Sequence, residues 1–599
     1  MLGKSTKNIN RQAFKKVGKD KHEILFLLPP NIEFSDFAKP DNYISNIKKG
    51  SKLFGSVLTD MPLGVLSLSA FLKKEINLVS TCLDFNVTLN KLETFKYSNF
   101  KSYFRDEILK KIGTNYRPDY IAISTMFTAA YQSSIDLTVL CRELFPKALI
   151  LVGGNLPTAM YKEILNDSDA VDAICYGEGE KAFLGLIQAK GKSEYLNLSE
   201  SWITHEKLKN SRVKYSHDFV WDLDEIPFLD YDMLDIEGYK LNPTSSRYSV
   251  TDSYSVSKET NLEDKIGKML FKQDMSEHFM PIMTSRGCPF KCTFCASHAA
   301  HGRAMRYNSV ARVEEDLKVM KERYGLTGVV IQDDHFMGGK RRPYELVSAM
   351  GKLKLGMFFQ NALAMYALDI EFLQLLKKSG VDELVLPIES GSMRVLREEM
   401  RKPLKLSTIP QVVKNCRNEG IYTDCNIIIG MPGETKEDIA ESREFLKSIY
   451  ADWFRIFIAT PIPGSEMHQT VVNENLFKSS LIRSNFKRAV IETEFLTPDY
   501  IQYMTYYMNI ELNFVYNSNM RLGRYGVALE GFKNVLRIKP DHAIAHYYAG
   551  QCLEKLGQKS ESTSHLIKAQ EIVDSNNFWN PFINDFNIDL RPSYDSKIA

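Results

Sequence analysis

The stretch Ser285-Arg-Gly-Cys-Pro-Phe-Lys-Cys-Thr-Phe-Cys295 places three thiols, Cys288, Cys292 and Cys295, in a C-x3-C-x2-C spacing. A structural zinc site closes four ligands, and no fourth cysteine or suitably spaced pair follows. His298 and His301 stand just behind, which leaves a Cys/His zinc knuckle as one alternative. A cubane iron–sulfur cluster accepts three thiolates and keeps one iron open for an exogenous ligand. Gly287 and Pro289 suit the tight turns of a loop wrapped around a cluster, and Phe290 and Phe294 suit its dry wall. Three unlinked buried thiols are the remaining option.

A chain of 599 residues holds three or four domains, each large enough to bury a core. Its 44% hydrophobic and 25% charged content is that of a soluble globular protein, and a net charge of +2 gives no case for nucleic acid as a partner. Residues 1–22 are basic but lack an apolar core, so they read as a disordered tail rather than a secretory signal. No apolar run is long enough to span a membrane. Nine cysteines, three of them in one loop, argue against a disulfide framework and for a reducing cytoplasm.

From Glu23 short apolar runs alternate with helical stretches. Ile24–Leu28, a run near Leu78–Leu83, Tyr120–Thr125, Leu149–Gly154 and Ala173–Tyr176 read as strands, with helices at Pro62–Leu72 and around Ser133–Phe145. Glycines just past strand ends, in Val152-Gly-Gly154 and Tyr176-Gly-Glu-Gly-Glu180, fit a doubly wound parallel sheet of Rossmann-like type. Its ligand belongs at the carboxyl ends of the strands. Residues 23–215 are assigned to this domain and 216–278 to a linker or insertion.

A second alternating unit, residues 279–470, begins at Met280–Thr284 and continues through strands at Gly328–Asp334, Met357–Ala362, Glu383–Ser390, Asp424–Gly430 and Trp453–Ala459. Six strands with helical sequence between them describe a partial (βα)6 barrel, with its chemistry at the strand carboxyl ends. Asp333-Asp334, Glu389-Ser390, Asn426 and Gly430-Met-Pro-Gly-Glu434 lie there, each of which could also be a cap or turn.

Taken together, the cysteine loop and these strand ends resemble the radical S-adenosylmethionine (radical SAM) enzymes. Pro62-Leu-Gly64, Val152-Gly-Gly154 and Tyr176–Glu180, in that order upstream, resemble the cobalamin-binding domain of many members, as in the class B methyltransferases. The resemblance implies a [4Fe–4S] cluster on Cys288, Cys292 and Cys295, with SAM on its open iron. Asp333 and Asp334 would hold the methionine amino group, and Glu389 and Ser390 would lie near the ribose and carboxylate. Gly430, Met431 and Phe294 would flank the adenine, and Asn426 would belong to the same SAM pocket. Ser124, Thr125, Gly153, Gly154, Asn155, Gly177 and Glu178 would contact cobalamin. In Asp84-Phe-Asn-Val-Thr-Leu89 an asparagine, Asn86, stands where some cobalamin domains carry a cobalt-ligating histidine, so no imidazole ligand is expected from that loop.

Residues 471–599 read as an all-α region. Gly523 and Gly557 are 34 residues apart, as are Leu522 and Leu556, the tetratricopeptide period. About one and a half such repeats occupy 516–575, too few to stand free, so they should lean on the helices of 497–520 or on a protein partner.

By resemblance the chain is a methyltransferase that moves a methyl group from SAM through methylcobalamin to an unactivated carbon opened by the 5′-deoxyadenosyl radical. An electron donor such as flavodoxin or ferredoxin would serve it, and a small molecule, lipid or peptide would be the substrate. Ring formation, oxidation or rearrangement with the same cofactors, a radical SAM enzyme without cobalamin, and a non-catalytic iron–sulfur assembly protein are the alternatives.

Overall fold

The computed structural model describes residues 21–40, 46–210, 212–239, 278–481 and 486–590; the N-terminal tail and most of the 232–278 connection lie outside them. The chain forms two compact units, one built mainly from residues 62–236 and the other mainly from 237–599.

In the first unit, strand β1 (His22–Leu28) buries Ile24, Leu25, Phe26 and Leu27 in succession, the mark of a parallel strand covered on both faces. A short hairpin, β2 (Asn46–Lys49) with β3 (Lys52–Gly55), follows it. The sheet then gains β4 (Leu78–Asp84), β5 (Tyr120–Ser124), β6 (Leu149–Gly153), β7 (Ala173–Cys175) and β8 (Trp202–Ile203), in spatial order β4-β1-β5-β6-β7-β8. All pairings are parallel except β7 with β8. The helix Leu63–Glu75 lays Val65 and Leu72 into the same core as Leu186 of the helix Glu180–Gln188. Fully buried Trp202 closes that edge, its Nε1 donating to the Ala182 carbonyl at 3.2 Å.

The stretch 216–236, expected as a linker, instead packs on this unit. Val220, Leu223 and Ile226 bury against Phe71, and the Asp230 carboxylate accepts from Ser69 Oγ and Lys73 Nζ, each at 2.6 Å. Its apolar residues are spaced irregularly, so no helical or strand period announces the contact.

The second unit opens with β9 (Phe279–Ile282) and a small antiparallel pair, β10 (Ser285–Arg286) with β11 (Arg306–Tyr307), which pinches the cysteine loop at its base. Then come β12 (Gly328–Ile331), β13 (Gly356–Phe359), β14 (Glu383–Glu389), β15 (Tyr422–Ile429) and β16 (Trp453–Ile458). The six barrel strands run parallel as two ladders, β13-β12-β9 and β14-β15-β16. The Phe279 ring crosses the starts of two neighbours: a Cβ on Gly328 or Gly356 would stand 2.4 or 2.5 Å from it. Glycine at those strand starts is therefore a packing requirement, and the opposite ends are left for the site.

The C-terminal helices are docked on the barrel. Glu511, almost wholly buried, receives Arg443 Nε at 2.6 Å and Arg443 Nη2 at 2.8 Å from the helix Lys436–Ser448. Helices Tyr525–Ile538, Ala543–Lys555 and Lys559–Ser575 pack around Phe532, Ala549 and Ala569, and share a core with Ile510 and Phe514 just upstream. The hairpin thus leans on the helices before it.

Candidate active site

The cysteine loop leaves β9 and is braced from behind by the two aspartates that follow β12. Asp333, deeply buried, accepts from the Thr284 amide, Thr284 Oγ1 and Ser285 Oγ, all at 2.6 Å. Asp334 Oδ2 accepts from the Gly287 amide at 2.9 Å and faces His301 Nδ1 at 2.8 Å. Both carboxylates thus serve the backbone of the loop rather than an open pocket. Gly287 has φ +90°, and a Cβ there would lie 2.4 Å from the Ala304 carbonyl oxygen, so only glycine makes this turn. The far side is tied by Thr293, whose amide donates to the Met400 carbonyl at 3.0 Å and whose carbonyl accepts from the Met467 amide at 2.9 Å.

Within that frame Cys288, Cys292 and Cys295 are free and half-buried. Burial pushes the Cys288 thiol up to about 11 and raises that of Cys292. Iron binding reverses this cost, because a coordinating thiol is deprotonated outright. Among the described residues no three His, Cys, Asp or Glu side chains converge on a point where a single ion would sit. A cubane asks less convergence of its thiolates, since each binds a separate iron. His301, offered as a zinc ligand by the sequence, is turned toward Asp334.

Facing the loop are the ends of β14 and β15. Glu389 sits at φ +67° just past a register shift in β14, and its carboxylate pairs with Lys402 Nζ at 3.2 Å. Ser390 is buried, its Oγ 3.1 Å from Ser442 Oγ and accepting from the Ser392 amide at 3.1 Å, so its hydroxyl is used within the turn. On β15, Cys425 and Ile427 are fully buried while Asn426 and Ile428 alternate with them toward the other face. Asn426 Oδ1 is buried and has no hydrogen-bond partner within the protein.

The loop after β15 turns on Gly430 (φ +89°) and Gly433 (φ +83°). Glu434 Oε2 accepts from the amides of Gly430 at 2.6 Å and Met431 at 3.1 Å, holding the loop. Burial pushes the Glu434 carboxyl up to about 8, so it is protonated at neutral pH. Met431 is buried with Val395 and Leu396, and Phe294 and Ile428 pack on that cluster, forming an apolar floor beside the cysteines. Lys402, 6.0 Å above the Phe294 ring, joins this wall. Lys402 is not marked by anything in the sequence around it, whereas Glu434 is legible there only as the end of the Gly430–Glu434 turn.

In the first unit, residues at the ends of β5, β6 and β7 share one sheet edge. The Thr125 amide donates to the Gly153 carbonyl at 2.9 Å, and its Oγ1 lies 3.0 Å from Ser134 Oγ. Gly154 has φ +107°, and a Cβ would meet the Thr125 carbonyl at 2.4 Å; at Gly177 (φ +81°) one would meet His217 Nδ1 at 2.1 Å. These glycines are demanded by neighbouring chain rather than by a ligand alone. Asn155 opens the helix Asn155–Ala159, and Glu178 is buried beside Cys175. Just past Ser124, Met126 and Phe127 are 55% and 40% exposed, an apolar surface suited to the face of a corrin. Asn86 is fully committed: Oδ1 accepts the Asn31 amide at 2.7 Å, and Nδ2 donates to the Pro29 carbonyl at 3.1 Å and to Asp84 Oδ1 at 2.9 Å. It ties the exits of β1 and β4 together and offers cobalt nothing.

Residues 282–446 match the radical SAM superfamily and residues 53–187 the B12 binding domain. An uncharacterized methyltransferase of Pyrococcus horikoshii is 26% identical over 370 residues, covering 61% of this chain and 72% of its own. The cytidylyl-2-hydroxyethylphosphonate methyltransferase of Streptomyces wedmorensis is 26% identical over 419 residues, covering 64% and 73%. The structure of the cobalamin-dependent S-adenosylmethionine radical enzyme OxsB, with aqua-cobalamin and S-adenosylmethionine bound, shares the fold with a TM-score of 0.56 at 12% identity, over 96% of this chain and 82% of that one. The chain thus carries a B12-binding domain followed by a radical SAM domain, and it shares its fold with a cobalamin-dependent radical SAM enzyme.

Proposed function

We propose that this enzyme transfers a methyl group from SAM to a substrate carbon with no acidic hydrogen. When bound, the iron–sulfur cluster and SAM supply a carbon radical that removes hydrogen, and cobalamin supplies the methyl carrier. The observation that carries the proposal is the three-thiol loop, locked by Asp333 and Asp334 and floored by Phe294 on Met431, in the same barrel as the strand that bears the partnerless Asn426 Oδ1. Cys288, Cys292 and Cys295 would hold the cluster. Phe294, Ile428 and Met431 exclude water from one side of it, and Asn426 offers an acceptor to SAM. The Glu389–Lys402 pair presents both charges next to Phe294, matching the ammonium and carboxylate of an amino acid. Met126 and Phe127, with the turns at Gly154 and Gly177, offer the edge for cobalamin.

Free cysteines suit work in a reducing cytoplasm, with flavodoxin or ferredoxin as electron donor, and the C-terminal repeats offer a place for a protein partner. No helix among the described residues is long and apolar enough to cross a membrane.

Anaerobic reconstitution with iron, sulfide and hydroxocobalamin, followed by desalting and metal counting, tests the assignment. The expected result is about four irons per chain with cobalt retained. Iron without cobalt would remove the methyl carrier and, with it, methyl transfer by this route.

A further inference from the structure

Beside the cysteine loop lies a pair of side chains outside the residues assigned above to the cluster, SAM and cobalamin. Tyr366 sits in the short turn Met365–Ala367 after β13, and His335 in the loop after β12. Their Oη and Nε2 atoms are 3.1 Å apart. Phe290, two residues from both Cys288 and Cys292, places its ring edge-on to His335 at 5.0 Å and to Tyr366 at 6.0 Å. His335 is buried, whereas Tyr366 is 56% exposed at the carboxyl ends of the strands. Burial disfavours the imidazolium and keeps His335 neutral. An outward phenol, held by a buried imidazole next to a radical-generating loop, is placed for contact with whatever enters the barrel mouth.

The geometry points to Tyr366 as the group that meets the substrate at the radical site, donating a hydrogen bond to a hydroxyl or carbonyl oxygen near the reacting carbon. His335 is its positioning residue: with its proton on Nε2 it donates to the phenol oxygen and leaves the phenol O–H aimed outward. The inference rests on the radical SAM assignment and deepens it toward an oxygen-bearing substrate.

Without substrate, Tyr366 Oη would be the nearest hydrogen donor to a carbon radical that SAM supplies when bound. A phenolic O–H is weaker than an alkyl C–H, so the O–H bond would break, a C–H bond would form, and a neutral phenoxyl would remain, hydrogen-bonded by His335.

The full-length reconstituted enzyme is incubated with SAM and dithionite in D2O, where phenol hydrogens exchange, and the 5′-deoxyadenosine is weighed by mass spectrometry. Iron content and absorbance of each sample report whether the variant has folded. The expected result is deuterium in the wild-type product, lost in Tyr366→Phe, largely lost in His335→Leu and restored in His335→Gln, whose amide can still donate. Equal deuterium in Tyr366→Phe would overturn the placement of Tyr366, and equal deuterium in His335→Leu the role of His335. If no 5′-deoxyadenosine forms at all, the radical SAM assignment itself fails.

Discussion

Asn513 takes the place of a neighbouring strand for Phe454: its Oδ1 accepts the Phe454 amide at 2.8 Å and its Nδ2 donates to the Phe454 carbonyl at 2.7 Å. Phe454 lies on β16, the last strand of its ladder, whose outer edge would otherwise present unpaired backbone groups. One amide side chain satisfies a donor and an acceptor at once, and in doing so fastens the C-terminal helices to the barrel.

Asn513→Ala therefore strands two buried backbone groups. The expected loss is about 2–4 kcal/mol, from about 1–3 kcal/mol for each unsatisfied group less partial relaxation. Chemical denaturation followed by tryptophan fluorescence reads it directly, since Trp453 adjoins the site. A change below about 0.5 kcal/mol would mean that water replaces the amide without cost.

Asp334 braces the cysteine loop through the Gly287 amide and His301. Removing groups that orient a metal-bearing segment costs about 10–100-fold in metal affinity. Asp334→Ala should release iron correspondingly faster to a chelator under anaerobic conditions, with its far-UV dichroism unchanged. Iron release at the wild-type rate would show that the loop holds its shape without this brace.

Asn426 presents an acceptor that the protein leaves unused. If SAM supplies the missing donor, Asn426→Leu should weaken SAM binding to the reconstituted enzyme about tenfold, the equivalent of about 1.4 kcal/mol. Equilibrium dialysis with labelled SAM gives the number. Undiminished binding together with higher thermal stability would identify Asn426 as a buried polar defect instead.

Strand positions were legible because parallel strands are apolar throughout: Ile24–Leu27 and Cys425–Ile429 contain almost no other kind of residue. The three cysteines were legible because their chemistry needs a fixed spacing on one loop. What sequence could not show is direction. Asp333 and Ser390 lie at strand ends, as a ligand site requires, yet Asp333 turns back to Thr284 and Ser285, and Ser390 to Ser442. A carboxylate that binds a cofactor and one that binds its own loop are spelled alike. Lys402 and Tyr366 reach the site from segments with no motif, and their partners, Glu389 and His335, are distant in sequence.

Glu434 makes the loop after β15 sensitive to pH. Its folded-state carboxyl is raised to about 8, mainly by burial, against an ordinary value of 4.5. A raised carboxyl means that the folded chain holds a proton which the unfolded chain has released. Its contribution to stability is therefore complete below the ordinary value, declines as pH rises from about 4.5, and is gone above about 8. Glu434→Gln keeps an acceptor for the Gly430 and Met431 amides but has no proton to lose. The variant should thus match the wild type near pH 5 and surpass it progressively toward pH 9, in melting temperatures measured across buffers of equal ionic strength. Parallel pH profiles for the two proteins would mean that Glu434 ionises normally, and that the loop admits enough water to solvate it.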